Sequence, residues 1–381
     1  MSDSRSTVKA AVIGAAGYAG IELVRHLLGH PGFELVAATS DGDAGKPLAE
    51  LYPALLGRCE LAFTPHDSVA SVDGLGAAFL SVPHTAAMAM APGLLERGVA
   101  VFDLSADFRL RDAAVYEQWY GVAHGAPELL AQAVYGLPEL NREKIAGAAA
   151  AAAGADGAAG AGAAGSADAD TGVASAALIA CPGCYPTATT LAVAPALAAG
   201  LAAPGAPVIA NAISGVSGAG RSATATTHYC SADENVNAYG VTTHRHTPEI
   251  AQTLSGVAGW PVPVVFTPHL APLSRGLLST VTLQLQTGVS GEQLRAVYEQ
   301  AYADEPFVTL LPAGSMPRTA SVVGSNNAQV GVALDPRTNV LVASCAIDNL
   351  GKGAAAQAIQ CANIVFGYPE TCGLDAIGRI L

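Results

Sequence analysis

The chain has 381 residues, enough for two domains that each bury a core, and with 51% hydrophobic and 13% charged residues it reads as globular rather than disordered. Its formal net charge is −13 and it contains no Lys/Arg run, so a nucleic-acid partner is not expected. No stretch combines the length and bulky apolar content of a membrane span, Met1 to Thr7 lacks the pattern of a secretory signal, and seven cysteines without small-domain spacing suit free thiols in a reducing cytoplasm.

In chain order, Val8–Ile13 reads as a strand, a glycine turn follows, and Ile21–Leu28 reads as a helix. Phe33–Ala38 and Ala77–Val82 are further strands, Ala86–Glu96 a helix and Val99–Leu104 a strand. Strands separated by helices of this length imply an α/β, Rossmann-type, doubly wound parallel sheet. Between residues 146 and 176 the composition collapses to Ala and Gly, which predicts a mobile insertion on a surface loop; a helical hairpin is the competing reading, favoured by alanine and opposed by glycine. Ala176–Ala180 is a short apolar strand. Beyond it, Pro207–Ile213, Val262–Thr267 and Ser279–Gln286 read as longer strands, with helices near Pro248–Leu254 and Gly291–Ala303. These describe a separate α+β domain, and a helix at Ala354–Phe366 is long enough to return to the first. The expected division is a nucleotide domain over 1–183, a catalytic and dimerisation domain over 184–347, and a returning segment over 348–381.

Gly14-Ala15-Ala16-Gly17-Tyr18-Ala19-Gly20 joins the first strand to the first helix. Glycines let the backbone turn sharply against a pyrophosphate, and the helix N-terminus offers N–H groups and partial positive charge. The bland reading is a tight turn in an unrelated α/β fold. The second strand ends at Thr39-Ser40-Asp41; an acid there can bind the 2′-OH of NAD, whereas Ser40 and Lys46 could meet a 2′-phosphate, so the residues leave NAD and NADP both open.

Cys181-Pro182-Gly183-Cys184-Tyr185-Pro186 follows an apolar strand and precedes a helical run beginning near Pro186. Cys184 is thereby placed at a helix N-terminus, where the dipole favours thiolate, the species that attacks an acyl phosphate to leave a thioester. The remaining cysteines, Cys59, Cys230, Cys345, Cys361 and Cys372, are expected to be small buried residues. Cys181 and Cys184 also form a C-x-x-C pair, which elsewhere means disulfide exchange or half a zinc site; no second such pair is present, and no metal is expected. His244 and His246 are two residues apart, on one face of an extended segment, with Thr247 as a helix cap and Pro248 at the first helical position. An imidazole there could deprotonate Cys184 and later protonate a developing aldehyde oxygen. Ser214-Gly215-Val216-Ser217-Gly218-Ala219-Gly220-Arg221 could cradle a phosphate, and Arg109 could meet a substrate carboxylate, although each could equally be an ordinary turn with a solvated charge.

Six ordered segments together resemble the N-acetyl-gamma-glutamyl-phosphate reductases, relatives of the aspartate-semialdehyde dehydrogenases. They are Gly14–Gly20, Asp103-Leu-Ser-Ala-Asp-Phe-Arg109, Tyr135-Gly-Leu-Pro-Glu139, Pro182–Thr187, Ser214–Arg221 and His244-Arg-His-Thr-Pro-Glu-Ile250. The resemblance covers nearly the whole chain apart from the Ala/Gly insertion. It implies NADP(H), a thioester on Cys184, and a base from the His244/His246 pair, with His246 favoured. It places Gly14, Ala16, Gly17, Tyr18, Ala19, Gly20, Ser40, Lys46, Ser81, Pro83, Ser217, Gly218 and Asn349 at the cofactor, and Arg109, His84, Ser214 and Arg221 at a small acyl-phosphate substrate. It further implies a homo-dimer or tetramer, without nucleic acid or membrane. Cys181 departs from the family pattern, and a cysteine there could trap Cys184 in a disulfide under oxidation. The rival readings are a sister reductase, acting on carrier-linked aminoadipyl phosphate or on aspartyl phosphate, and a non-enzymatic NADP-binding sensor.

Overall fold

A computed structural model describes residues 7–153 and 177–380. The chain forms two compact units: one comprises the chain up to Tyr116, Val122–Pro182 and Ala355–Asp375; the other comprises Glu117–Gly121, Gly183–Ala354 and Ala376–Leu381.

The first unit contains β1 (Val8–Ile13), α1 (Tyr18–Leu28), β2 (Phe33–Thr39), α2 (Leu48–Leu51), β3 (Leu75–Leu80), α3 (Ala87–Glu96) and β4 (Ala100–Asp103). After α4 (Ala113–Tyr120) come β5 (Val134–Tyr135), α5 (Pro138–Ala153) and β6 (Leu178–Ala180). Six strands pair in the order β2-β1-β3-β4-β6-β5, every pair parallel. β3 and β4 are buried along their whole length, as strands covered on both faces must be. The order reverses direction at β1 and β3, which opens a crevice at their carboxyl ends. Residues 146–153, expected in a loop, instead continue α5, because alanine is the best helix former; 154–176 lie outside the described residues.

The second unit starts with α6 (Cys184–Ala198), β7 (Val208–Gly215), α7 (Tyr229–Ala232), β8 (Asn237–Ala238) and α8 (His246–Ala258). It continues with β9 (Val264–Ala271), β10 (Leu277–Gln284), α9 (Gly291–Tyr302), β11 (Val308–Leu310), β12 (Ala328–Asp335) and β13 (Val340–Ile347). Seven strands pair in the mixed order β11-β12-β13-β10-β7-β9-β8. Every residue of α6 from Tyr185 to Leu197 is buried, three threonines among them, so this helix is enclosed on all sides and forms the centre of the core. Pro195 lacks the N–H that would bond the carbonyl of Leu191; the hydroxyl of the buried Tyr302 donates to that carbonyl instead, and Tyr298 donates to Ala192 O at 2.7 Å. α10 (Ala356–Val365) closes the chain's helical content and belongs to the first unit, preceded by a π-helical turn over Gly351–Ala355.

Candidate active site

The glycine turn is tightly determined by its neighbours. Gly14 has φ +85°, and a Cβ on it would lie 2.3 Å from the carbonyl oxygen of Ser81; a Cβ on Gly20 would lie 2.3 Å from that of Gly14. Close packing of turn, strand end and helix therefore excludes any side chain at these two positions. Gly17 is the N-cap of α1 and supplies no side-chain cap, and the first turn carries no acid. An uncapped helix N-terminus at the end of β1 suits a pyrophosphate, so the residues present fit a dinucleotide. Tyr52 fixes the turn from the side, donating its hydroxyl to Ala16 O at 2.8 Å.

Cys184 is the first residue of α6, preceded by Gly183 in an extended conformation without a side-chain cap. The half-buried thiol thus stands where the helix dipole favours its anion. Gly353 packs directly on it: a Cβ there would be 2.6 Å from the Cβ of Cys184. The ring of His246 lies against Gly183 so closely that a Cβ on Gly183 would be 2.3 Å from Nε2. Glu249, one turn along α8 and buried, accepts the Gly183 N–H at 3.0 Å through Oε1, while its Oε2 is 4.0 Å from His246 Nε2. One carboxylate thereby bonds the peptide leading into Cys184 and lies close to the imidazole beside it. A thiol, an imidazole and a carboxylate are thus grouped at the start of α6.

His244 is different. Its Nδ1 accepts the backbone N–H of His246 at 3.2 Å, which caps α8. The helix begins at His246, not after Thr247 as the sequence suggested; Arg245 is the N-cap residue and offers no side-chain cap, so the His244 ring satisfies the first N–H instead. The rings are 4.9 Å apart, brought together by the turn into the helix rather than by an extended segment. Burial, and then the neighbouring Arg245, push His244 down to about 4, so the ring is neutral at physiological pH.

Sequence comparison supplies the remaining step. Residues 9–148 match the family model described as semialdehyde dehydrogenase, NAD binding domain, and residues 184–349 match semialdehyde dehydrogenase, dimerisation domain. An N-acetyl-gamma-glutamyl-phosphate reductase of Moorella thermoacetica is 47% identical over 97% of this chain and 99% of its own length. Its counterpart in Symbiobacterium thermophilum is 46% identical over 98% and 99%. The chain belongs to the N-acetyl-gamma-glutamyl-phosphate reductase family. Among solved structures, aspartate semialdehyde dehydrogenase II of Vibrio cholerae in complex with ASA superposes with a TM-score of 0.67 at 18% identity, covering 95% of this chain and 98% of the other. The Candida albicans aspartate semialdehyde dehydrogenase with NADP gives 0.65 at 15% identity, covering 94% and 98%. At such identities the likeness is one of fold.

In this member of the reductase family, the loop after β7 is drawn together with the segment after β13. Asn349 donates Nδ2 to Ser217 Oγ at 2.9 Å and accepts Gly276 N–H at 2.7 Å. Gly218 sits beside it, where a Cβ would be 3.0 Å from Ser214 Oγ and 3.6 Å from Asn349 Nδ2. Ser214, Ser217, Gly218 and Asn349 therefore form one cluster, while Arg221 is exposed. Arg109 donates Nε to Cys181 O at 2.8 Å and Nη2 to Leu104 O at 2.7 Å, which ties the ends of β4 and β6 together. Ser81, Pro83 and His84 follow β3 beside the glycine turn, and Thr85 after them has φ +78°, held by Asp107, whose Oδ1 accepts its N–H at 2.8 Å. Lys46 pairs with Asp43 at 3.1 Å, and Ser40 donates to the same carboxylate at 3.3 Å.

Two expectations about cysteines change. Cys230 is exposed and Cys372 half-buried, since short α7 and the segment after α10 place them at the surface. Cys181 is buried with its thiol against Cys361, which donates to Gly136 O at 3.3 Å; that contact and burial push Cys181 well up and keep it protonated. Glu249 was not singled out from the sequence, although its i+3 spacing from His246 on a helix places both on one face. Tyr185 and Tyr239 were missed too. Tyr239 donates to Tyr185 at 3.1 Å, Tyr185 donates to His269 O at 3.1 Å, and the Tyr185 ring meets the edges of both histidines. Burial first, then the nearby Tyr239 and Cys184, drive Tyr185 far up, and burial pushes Tyr239 to about 12, so both phenols stay neutral donors.

Proposed function

We propose that this chain carries out the reaction of its family, the NADPH-dependent reductive dephosphorylation of N-acetyl-L-glutamyl 5-phosphate to N-acetyl-L-glutamate 5-semialdehyde, in arginine biosynthesis, with Cys184 as nucleophile and His246 as base. The observation that carries this reading is the placement of His246 and Glu249 around the peptide entering Cys184. His246 takes the thiol proton and the thiolate attacks the acyl carbon. The C–O bond to phosphate breaks, phosphate leaves, and a thioester forms on Cys184. When bound, NADPH supplies the hydride that reduces the thioester carbon. His246, now protonated, gives its proton to the oxygen as charge develops there. His246 takes that proton back as the C–S bond breaks and the aldehyde leaves, and its transfer to the expelled Cys184 thiolate restores both thiol and base. Glu249 lies beside the imidazole, with Oε2 4.0 Å from Nε2. His244 is neutral and already bonded through Nδ1, which makes it the cap rather than the base.

The test is the reverse reaction, following NADPH formation from N-acetylglutamate semialdehyde, phosphate and NADP. Phosphate-dependent turnover by the wild type, lost by about 10³-fold or more in Cys184→Ser, is the expected result. Turnover with aspartate semialdehyde alone would move the substrate to a sister reductase.

Assembly belongs to the same reading. Ile209, Asn211 and Ile213 on β7, Val265 and Thr267 on β9, and Thr280 and Thr282 on β10 lie on the sheet face opposite α6 and carry no charge. On a chain of net charge −13, an uncharged face suits a second copy of the same chain, and the dimerisation description of 184–349 supports that occupant.

A further inference from the structure

The choice of cofactor is made where β2 ends, beside the glycine turn. Ala15 N donates to Thr39 O at 2.8 Å, and Gly14 N reaches Thr39 Oγ1 at 3.4 Å. A carboxylate just past this strand is the usual partner of the ribose 2′-OH in NAD, and it repels the 2′-phosphate of NADP. This chain has two such acids, Asp41 and Asp43, which on sequence alone oppose a phosphorylated ribose.

The structure shows both acids engaged. Asp43 holds Lys46 and Ser40, as described above. Asp41, although its side chain is 68% exposed, is held by a residue from elsewhere in the sequence. Its Oδ1 accepts the backbone N–H of His66 at 2.8 Å, and its Oδ2 is 3.8 Å from His66 Nε2. Residues 62–66 run alongside β2: Thr64 bridges Thr39 in parallel, Thr64 N donates to Ala38 O at 3.1 Å and Ser40 N to Thr64 O at 2.9 Å. That segment delivers His66 to the strand end. Its Nδ1 lies 2.5 Å from Thr39 Oγ1. Because Thr39 Oγ1 faces the Gly14 N–H with a lone pair, its own hydrogen is available to His66 Nδ1. Nε2 is the ring nitrogen turned toward Asp41.

We propose that His66 is a specificity-determining residue for the cofactor: it draws the Asp41 carboxylate away from the ribose and leaves the strand end to a 2′-phosphorylated dinucleotide. The inference rests on the NADPH reading above and deepens it. The chain Gly14, Thr39, His66, Asp41 also links the pyrophosphate turn to the ribose end, so one side chain sets the geometry of both.

The test is calorimetric binding of two fragments, 2′,5′-ADP and 5′-ADP, to the full-length protein. Wild type is expected to prefer 2′,5′-ADP. His66→Leu removes both ring contacts but keeps the backbone N–H to Asp41, and it should lower that preference at least tenfold. His66→Asn retains a polar group for Thr39 while removing the end that faces Asp41; it should lower the preference similarly, and it serves if the leucine variant does not fold. Adding Asp41→Asn to either variant should restore the preference to within threefold of wild type. A preference unchanged in both His66 variants overturns the role of His66 and leaves NADPH standing. Failure of Asp41→Asn to restore it also overturns the proposal, since His66 would then act on the phosphate directly. A wild type that binds both fragments alike, or 5′-ADP better, overturns the NADPH reading itself.

Discussion

His244 and His246 have rings 4.9 Å apart, and the roles proposed for them differ according to what each ring touches. His246→Asn should lower kcat by about 10²- to 10⁴-fold, the usual contribution of a positioned general base, and steady-state rates at saturating substrate measure it. His244→Gln keeps an acceptor for the His246 N–H, so its kcat should stay within about tenfold of wild type. Its signature is in stability. His244 binds its proton near pH 4 when folded and near 6.5 when unfolded. The unfolded state therefore takes up the proton first, and the stabilisation present above 6.5 is lost as pH falls toward 4. Thermal midpoints at pH 7.5 and pH 5 should fall less in His244→Gln than in wild type; equal falls would remove His244 as a source of acid sensitivity. The sequence showed two histidines of equal standing because spacing carries no information about burial. Glu249 was legible in principle, being three residues along a helix. Tyr239 was not, since only the folding of the β7–α8 connection brings it to Tyr185.

At the scale of elements, five of the six parallel strands were readable as largely apolar runs bounded by turns, the two-residue β5 was too short to leave a pattern, and α1 differs from expectation only in beginning at Tyr18. β12 and β13 escaped notice although Asp335-Pro336-Arg337-Thr338-Asn339 is a plain turn signal between them. Their outward positions are half-buried, which weakens the alternation that marks a strand. The π-helical turn over Gly351–Ala355 had no sequence signal, yet it packs Gly353 against Cys184. Gly353→Ala should drive a methyl into the Cβ of Cys184, displace the thiol and reduce kcat/KM at least about 10²-fold. Alkylation of Cys184 by iodoacetamide would report the same displacement without turnover. A near-normal rate in Gly353→Ala would mean that the turn yields easily. In the core, Tyr302→Phe leaves the Leu191 carbonyl without its donor, in a helix whose Pro195 cannot replace it. The expected cost is about 1–3 kcal/mol, read from denaturant unfolding, with KM unaltered.

For the whole molecule, the contrast is between a strongly acidic composition and the outward positions of β7, β9 and β10 named above, which carry no charge. Two copies of a chain carrying −13 repel one another over most of their surface. Association is least opposed where outward positions are Ile, Val, Thr and Asn, and Ile209 and Val265, 38% and 52% exposed, are adjacent across β7 and β9. A closed two-fold interface presents the same patch from both subunits, so any substitution enters it twice. Val265→Asp would therefore place two like charges in a desolvated apolar surface, whereas in a lone subunit the same carboxylate would remain in water at little cost. Light scattering coupled to size exclusion should show the wild type as a multiple of the 38.0 kDa chain and Val265→Asp at half that mass or dissociating on dilution. Because Val265 is on the sheet face opposite α6, the isolated subunit should keep its cofactor affinity. An unchanged mass in Val265→Asp would place the interface elsewhere on the second unit, with the exposed segment around α7, where Tyr229 is 74% exposed, as the next surface to substitute.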